Sequence, residues 1–207
     1  MVIILASIQF YLFPVVLITA LLQVFGLILT LLFPKLRIWP PPSKGSWQFW
    51  FIVVGWAAIL APGIIVVGVL DWGTFWLVHW SSFIIGGLLA SFGLFFFLWA
   101  GRTLNRHQSS FWEQPNTFAV EGPYQYTRNP QYVGLILFGM GIILITNSFM
   151  ALIIVLLLTL FLLLAPFTEE PLLREQFGQD YEEYCKNVPR FIGKASFKRK
   201  SSLIDRR

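Results

Sequence analysis

Long apolar runs separated by short polar punctuation dominate the chain. A hydrocarbon core of about 30 Å takes roughly 20 apolar residues as helix, and five segments approach that length. They lie within Ile8 to Phe33, Trp47 to Leu70 and Phe75 to Ala100, then Tyr132 to Ile145 and Phe149 to Phe167. Only Thr146, Asn147 and Ser148 divide the last two, so the spacing predicts a tight helical hairpin. Pro14, Pro62 and Pro166 are expected to kink or end helices. After Phe167 the pattern becomes amphipathic: at about 100° per residue, Leu173, Phe177, Tyr181, Tyr184 and Val188 share one stripe. Thr168 is a candidate cap for this helix, with Glu169, Glu170 and Pro171 in its first turn. The expected fold is all-α and integral to the membrane, with about five transmembrane helices. Its last two spans form a C-terminal hairpin, followed by a cytoplasmic amphipathic helix.

Composition agrees with the pattern. Of 207 residues, 57% are hydrophobic and only 12% charged, which excludes an ordinary water-soluble domain. The first 34 residues carry no charge and are expected to be a retained span, not a cleaved signal. Cys185 is the only cysteine, so neither an intramolecular disulfide nor a Cys-based metal site can form.

The basic residues set the expected orientation. Three lie between the first two spans (Lys35, Arg37, Lys44), three between spans three and four (Arg102, Arg106, Arg128) and nine after span five. The alternate loops hold none. The N-terminus is therefore expected outside and the C-terminus in the cytoplasm, with the protein in an inner membrane if bacterial or the endoplasmic reticulum if eukaryotic. The formal charge of +5 is assigned to topology and to a basic tail from Lys194 onward that attracts anionic lipid. No nucleic-acid partner is expected. The chain divides into a three-helix membrane region at 1–100, a cofactor-binding region at 101–192 and the tail at 193–207.

Several polar features have structural explanations. Gly86, Gly87, Ala90 and Ser91 give small-residue pairs for close packing of another helix within the chain. Gln9 and Gln23 suit helix-to-helix hydrogen bonds, and His79 suits the aromatic interfacial belt beside Trp76 and Trp80. His107, in a polar cluster with Arg102, Asn105, Arg106, Trp112 and Glu113, has no second ligand at metal-binding spacing. Pro40, Pro41 and Pro42 read as a semi-rigid connector with no chemistry. No glycine-rich dinucleotide fingerprint follows a strand-like segment.

The stretch from Gly122 to Arg190 carries the candidate chemistry. Gly122-Pro123 and Asn129-Pro130 each force a turn, because the residue before proline leaves the helical region. Pro130 then starts span four, whose first N–H groups suit an anion, with Arg128 beside them. Tyr124, Tyr126 and Tyr132 offer rings and hydroxyls. Glu169 and Glu170 lean toward the apolar stripe, so they need donors: Arg128, Arg102, Arg174, or the amine and hydroxyls of a ligand.

These residues resemble a known family. Gly122-Pro-Tyr, then Arg128-Asn-Pro-Gln-Tyr-Val-Gly134, then Glu169-Glu170 with Leu173, Phe177-Gly178, Tyr181, Tyr184, Val188 and Arg190 is similar to the isoprenylcysteine carboxyl methyltransferase and phospholipid methyltransferase superfamily, over roughly residues 100 to 192. Asn129 stands where that family most often has histidine, and Gly193 replaces its proline. The resemblance implies an S-adenosylmethionine site near the cytoplasmic face and a lipid-like or isoprenylated acceptor. It implies cofactor binding by Tyr124, Arg128, Asn129, Pro130, Tyr132, Gly134, Glu169 and Glu170, and catalytic roles for Arg128, Glu170 and Arg190. O-methylation of a carboxylate is the expected reaction. The alternatives are a sterol-reductase-like enzyme using NADPH, which shares an Arg/Asn-Pro-x-Tyr segment, and a non-enzymatic membrane scaffold.

Overall fold

A computed structural model describes residues 2–75, 80–106 and 118–193. His79, His107, Trp112, Glu113 and the basic tail lie outside the described residues. The described chain is helical: α1 (Val2–Leu32), α2 (Trp47–Leu70), α3 (Trp80–Arg106), α4 (Pro130–Thr146), α5 (Phe149–Leu164) and α6 (Pro166–Asn187). Each of the five apolar segments appears as a helix. Four are long and apolar enough to cross a membrane, whereas α4, at 17 residues, is apolar but shorter. The protein is an integral membrane protein.

The core runs along α1, α2 and α5. Val16 and Ala20 meet Leu60, Ile64 and Val67 of α2 and Ile154, Val155 and Leu158 of α5. Toward the other end, Val24 and Leu27 pack on Phe161, Leu162 and Ala165. Gln9 donates to Asp71 at 3.3 Å, and Gln23 to the Phe51 carbonyl at 3.1 Å, so both α1 glutamines join helices as expected.

Helix α2 widens to a π-type turn over Val54–Leu60, immediately before Pro62. A proline has no N–H and its ring crowds the carbonyl four residues back, so the wide turn absorbs what would otherwise be a break. The Ala61 N–H reaches the Trp56 carbonyl, five residues back.

Helix α3 is the peripheral one: 17% of its best spanning window is buried, against 39–44% for the other long helices. It is held through α4 by backbone-to-backbone approach. A Cβ on Gly93 would lie 2.5 Å from Phe138 N, one on Gly134 2.7 Å from Phe97 N, and one on Gly141 2.5 Å from Ala90 N. Of the four small residues picked out in the sequence, Gly86 and Ala90 form this seam. Gly87 meets nothing and Ser91 is exposed. The intramolecular reading holds for half of the pattern.

The hairpin between α4 and α5 is as tight as predicted. Asn147 ends α4 in the left-handed region (φ 50°), and the Ser148 hydroxyl caps α5 by accepting from Ala151 N at 3.0 Å. At the other end of α5 the expectation needs correcting. Thr168 does not cap α6; the helix starts at Pro166, and the Thr168 hydroxyl donates back to the Ala165 carbonyl at 2.8 Å. Ala165 already has helical angles, so Pro166 occupies the first-turn position where its missing N–H costs nothing.

The proline connector also differs from expectation. Pro40 and Pro41 are fully buried instead of forming a solvated spacer. Without N–H groups their rings bury with no donor left unsatisfied. Thr30 organises the turn, its hydroxyl donating to the Gly26 carbonyl and accepting from Ile38 N at 3.0 Å.

Candidate functional site

The 122–129 segment folds over the start of α4 as two linked turns. Gly122 has φ 57°, and a Cβ there would come within 3.3 Å of the Trp99 indole and Thr103 hydroxyl of α3. Tyr124 is buried, and its carbonyl accepts from the Tyr184 hydroxyl at 2.7 Å. Asn129 leaves the helical region before Pro130, as its position requires (φ −126°, ψ 57°). The segment is clasped to the chain beyond α6. Arg128 N donates to the Pro189 carbonyl at 2.9 Å, while the Thr127 hydroxyl and Asn129 Nδ2 both donate to the Arg190 carbonyl, at 3.1 and 3.0 Å.

Helix α6 closes the site from the opposite side. Its apolar stripe is intact: Tyr181, Tyr184 and Val188 are buried, with Leu173, Phe177 and Phe118 packed on them. Gly178 interrupts the helix with φ 53° and ψ −128°, a conformation essentially restricted to glycine. The bend lets the first half of α6 carry Glu169 and Glu170 while the second half presents the tyrosines.

Between these elements lies a cavity of about 650 Å³, within the size range of small-molecule sites. Phe118, Tyr124, Tyr132, Tyr181 and Tyr184 supply aromatic walls, and Arg128, Glu169 and Glu170 supply the charge. The two glutamates are equally buried but differently occupied.

Glu170 is an electrostatic hub. Arg190 grips it in bidentate fashion at 2.7 and 2.9 Å, Arg128 Nη1 lies 3.0 Å away and Arg174 Nη2 3.7 Å away. Burial pushes its carboxyl up, but the Arg190 hydrogen bonds and the charges of Arg128, Arg190 and Arg174 outweigh that and hold it below the usual carboxylate value.

Glu169 has no cationic partner among the described residues. Its Oε1 accepts from the Trp39 indole at 2.6 Å and from the Tyr132 hydroxyl, and Oε2 has no protein donor among the described residues. Burial pushes its carboxyl up to about 7; the Tyr132 and Trp39 hydrogen bonds work against the rise and the Glu170 charge adds to it. Desolvation also raises the Tyr124 hydroxyl, with the Glu169 charge reinforcing the shift. Arg128 contributes an unused donor: Nη1 reaches Glu170 and the Cys185 sulfur, but Nε is buried without a partner.

The structure therefore brings together Tyr124, Arg128, Asn129, Tyr132, Glu169 and Glu170 around one cavity. Pro130 is fully buried at the start of α4, and Gly134 faces α3 rather than the cavity. Arg190 also lies outside the lining, with its guanidinium on Glu170 and 4.2 Å over the Phe167 ring. Tyr126 is exposed, and Arg102 pairs with neither glutamate. Sequence reasoning missed Trp39, the sole aromatic residue between Phe33 and Trp47, whose indole spans 130 positions to reach Glu169.

Comparison with known proteins agrees with this geometry. Residues 81–180 match the family model for phospholipid methyltransferases. This segment belongs to the phospholipid methyltransferase family. It holds most of α3, the 122–129 turns, the α4–α5 hairpin and Glu169–Glu170, so one family segment encloses most of the cavity. Protein-S-isoprenylcysteine O-methyltransferase of Schizosaccharomyces pombe is 32% identical over 91 residues. That alignment takes in 44% of this chain and 39% of the relative, so the chain spans about two-fifths of the relative's length. No solved structure matches the chain. Enzymes of the phospholipid methyltransferase family use S-adenosylmethionine.

That cofactor's functional groups suit the donors and acceptors present. An unshared Oε2 on Glu169 matches hydroxyl or ammonium donors, the orphaned Nε of Arg128 matches a carboxylate, and the aromatic walls match a purine ring.

Proposed function

We propose that the chain is an integral-membrane, S-adenosylmethionine-dependent methyltransferase acting on a lipid-like or isoprenylated acceptor, with O-methylation of a carboxylate as its reaction. The observation that carries this reading is the cavity itself, which combines the free oxygen of Glu169, the unpaired Nε of Arg128 and aromatic walls at the end of the spanning helices. The O-methyltransferase named above supports a carboxylate acceptor.

S-adenosylmethionine supplies a methyl group carried on a sulfonium, and transfer by in-line displacement asks the protein chiefly for alignment. Glu169 would hold ligand hydroxyls or an ammonium group, Arg128 a carboxylate, and Phe118, Tyr181 and Tyr184 an aromatic base. Glu170 and Arg190 act as positioning residues. Glu170 fixes the Arg128 guanidinium, and Arg190 fixes Glu170 while its carbonyl receives the Thr127 and Asn129 clasp. This assigns Asn129 a side-chain role in shaping the turn instead of direct ligand contact. A carboxylate acceptor needs no proton removed. An ammonium acceptor does, and Glu169, with its carboxyl near 7, is the base placed to take it.

The orientation proposed from the basic residues puts the N-terminus outside and this cavity at the cytoplasmic face. Residues 1–100 then serve as the membrane region, 101–192 as the cofactor-binding region and 193–207 as a basic tail. In a Cys185→Ser background, an impermeant thiol reagent should reach a cysteine at the exposed Trp72 position only from the outer side. Labelling only from the cytoplasmic side would reverse the orientation.

Calorimetric titration of the detergent-purified chain tests the function. S-adenosylhomocysteine is expected to bind and NADPH is not. Binding of NADPH with no response to S-adenosylhomocysteine would overturn the methyltransferase reading, and silence toward both would leave a scaffold.

A further inference from the structure

The connector between α1 and α2 walls a second cavity of about 460 Å³ that the methyl-transfer reading leaves unused. Leu31, Pro34, Pro40, Phe167, Pro171 and Leu172 make it largely apolar. Its hydroxyls are already committed: Thr30 bonds the Gly26 carbonyl and the Ile38 N–H, and Thr168 bonds the Ala165 carbonyl. What remains is Arg37. Its backbone sits in the left-handed region at φ 42°, uncommon for a residue with a side chain, and its Nε is buried without a hydrogen-bond partner.

No protein carboxylate is available to it. The sequence has no Asp or Glu before Asp71, Glu169 is held by Trp39 and Tyr132, and Glu170 is surrounded by three other arginines. A half-buried guanidinium in an apolar recess calls for an anion. The neighbouring surface selects the kind of anion, because Leu32, Phe33 and Leu36 are exposed close by, and Phe167 is exposed on the rim. A small hydrated ion gains nothing from such a surface, whereas an apolar chain does.

We propose that this cavity binds the anionic head group, phosphate or carboxylate, of a membrane amphiphile whose chain lies against these exposed apolar residues. The site is separated from the Glu169 cavity by the Trp39 indole. Thr168 faces one cavity and its neighbour Glu169 the other. Because Arg37 lies outside the family-matched segment, the binding claim stands apart from the methyl-transfer reading.

Microscale thermophoresis of the full chain in maltoside micelles tests it with oleoyl lysophosphatidate, oleate, monoolein and inorganic phosphate. The two anionic amphiphiles should bind at least tenfold more tightly than uncharged monoolein, which shares their chain, and than inorganic phosphate, which shares only the charge. Arg37→Gln should abolish that preference and Arg37→Lys should keep most of it. Leu172→Trp fills the recess with the charge intact, so it should weaken amphiphile binding tenfold even where Arg37→Gln fails to fold. Equal affinity for monoolein, equal affinity for inorganic phosphate, or unchanged binding in the variants would overturn the proposal. Parallel titration with S-adenosylhomocysteine should be unaffected by Arg37→Gln. Loss of that response in the unmodified protein would count against methyl transfer alone.

Discussion

Asp71 and Glu169 are both buried carboxylates at helix ends, with 5% and 4% of their surface exposed, so burial alone does not distinguish them. Their donors do. Asp71 accepts from Ser148 Oγ at 2.7 Å, Thr74 Oγ1 at 2.8 Å, Met150 N at 2.9 Å and Gln9 Nε2 at 3.3 Å, which ties α1, α2 and the α4–α5 hairpin into one knot. Glu169 has two donors on a single oxygen and leaves the other facing a cavity. A saturated carboxylate is a structural joint. An unsaturated one beside a cavity holds interaction capacity in reserve for a ligand.

Substitution at each end should separate the two roles. The largest expected effect is at Asp71. Replacement by alanine strands the Ser148 hydroxyl and Met150 N–H, and should lower stability by about 3 kcal/mol. Thermal unfolding in detergent reads this, and S-adenosylhomocysteine affinity of the folded fraction should not change; a parallel fall in affinity would break the comparison.

Glu169→Gln should do the reverse, changing stability by less than about 1 kcal/mol, since the amide oxygen can still accept from Trp39 and Tyr132. Affinity for S-adenosylhomocysteine should drop about tenfold, the worth of one charge-assisted hydrogen bond. The sign of the pH effect follows from a folded carboxyl near 7 against an ordinary value of 4.5. Below 7 the group is protonated and a poor acceptor, so affinity should rise with pH and level off above 7. Folding stability moves oppositely, falling as pH rises from 4.5 to 7 because the folded state holds the proton more tightly. Affinity that is flat with pH in the unmodified protein would remove Glu169 from the ligand.

The smallest effect is expected for Trp39→Phe, which keeps the ring against Phe161 but deletes the indole donor. That donor lowers the Glu169 carboxyl, so its loss should move the binding midpoint above 7 and weaken affinity at pH 7 by about threefold. An unmoved midpoint would show that the Trp39 hydrogen bond does not tune the site.

The elements legible in the sequence are those specified by local chemistry. Apolar run lengths marked the spans, Asn147 and Ser148 marked the hairpin, and the spacing of Leu173, Phe177, Tyr181, Tyr184 and Val188 marked the face that α6 buries. Glu169 and Glu170 could be recognised as needing partners because carboxylates leaning into an apolar stripe must find donors. Which donors each would find was not legible, because Trp39 and Arg190 come from distant segments whose local patterns say nothing of their neighbours. Gly134 misled for a related reason. Its place in a motif near a helix start suggested a ligand contact, whereas the close approach of α3 explains it. Thr168 resembled a cap because local rules do not reveal that α5 runs almost without pause into Pro166.

The wide turn at Val54–Leu60 has a bearing on how this chain tolerates length changes. It accommodates one residue more than a regular helix would hold in the same rise. Deleting a single residue there would restore ordinary winding, and everything after it would swing by about 100° around the axis. Asp71 would then point away from Ser148 and Met150. The bulge thus acts as a phase-setter: it fixes the angular position at which α2 delivers its only acidic neighbour to the far end of the bundle.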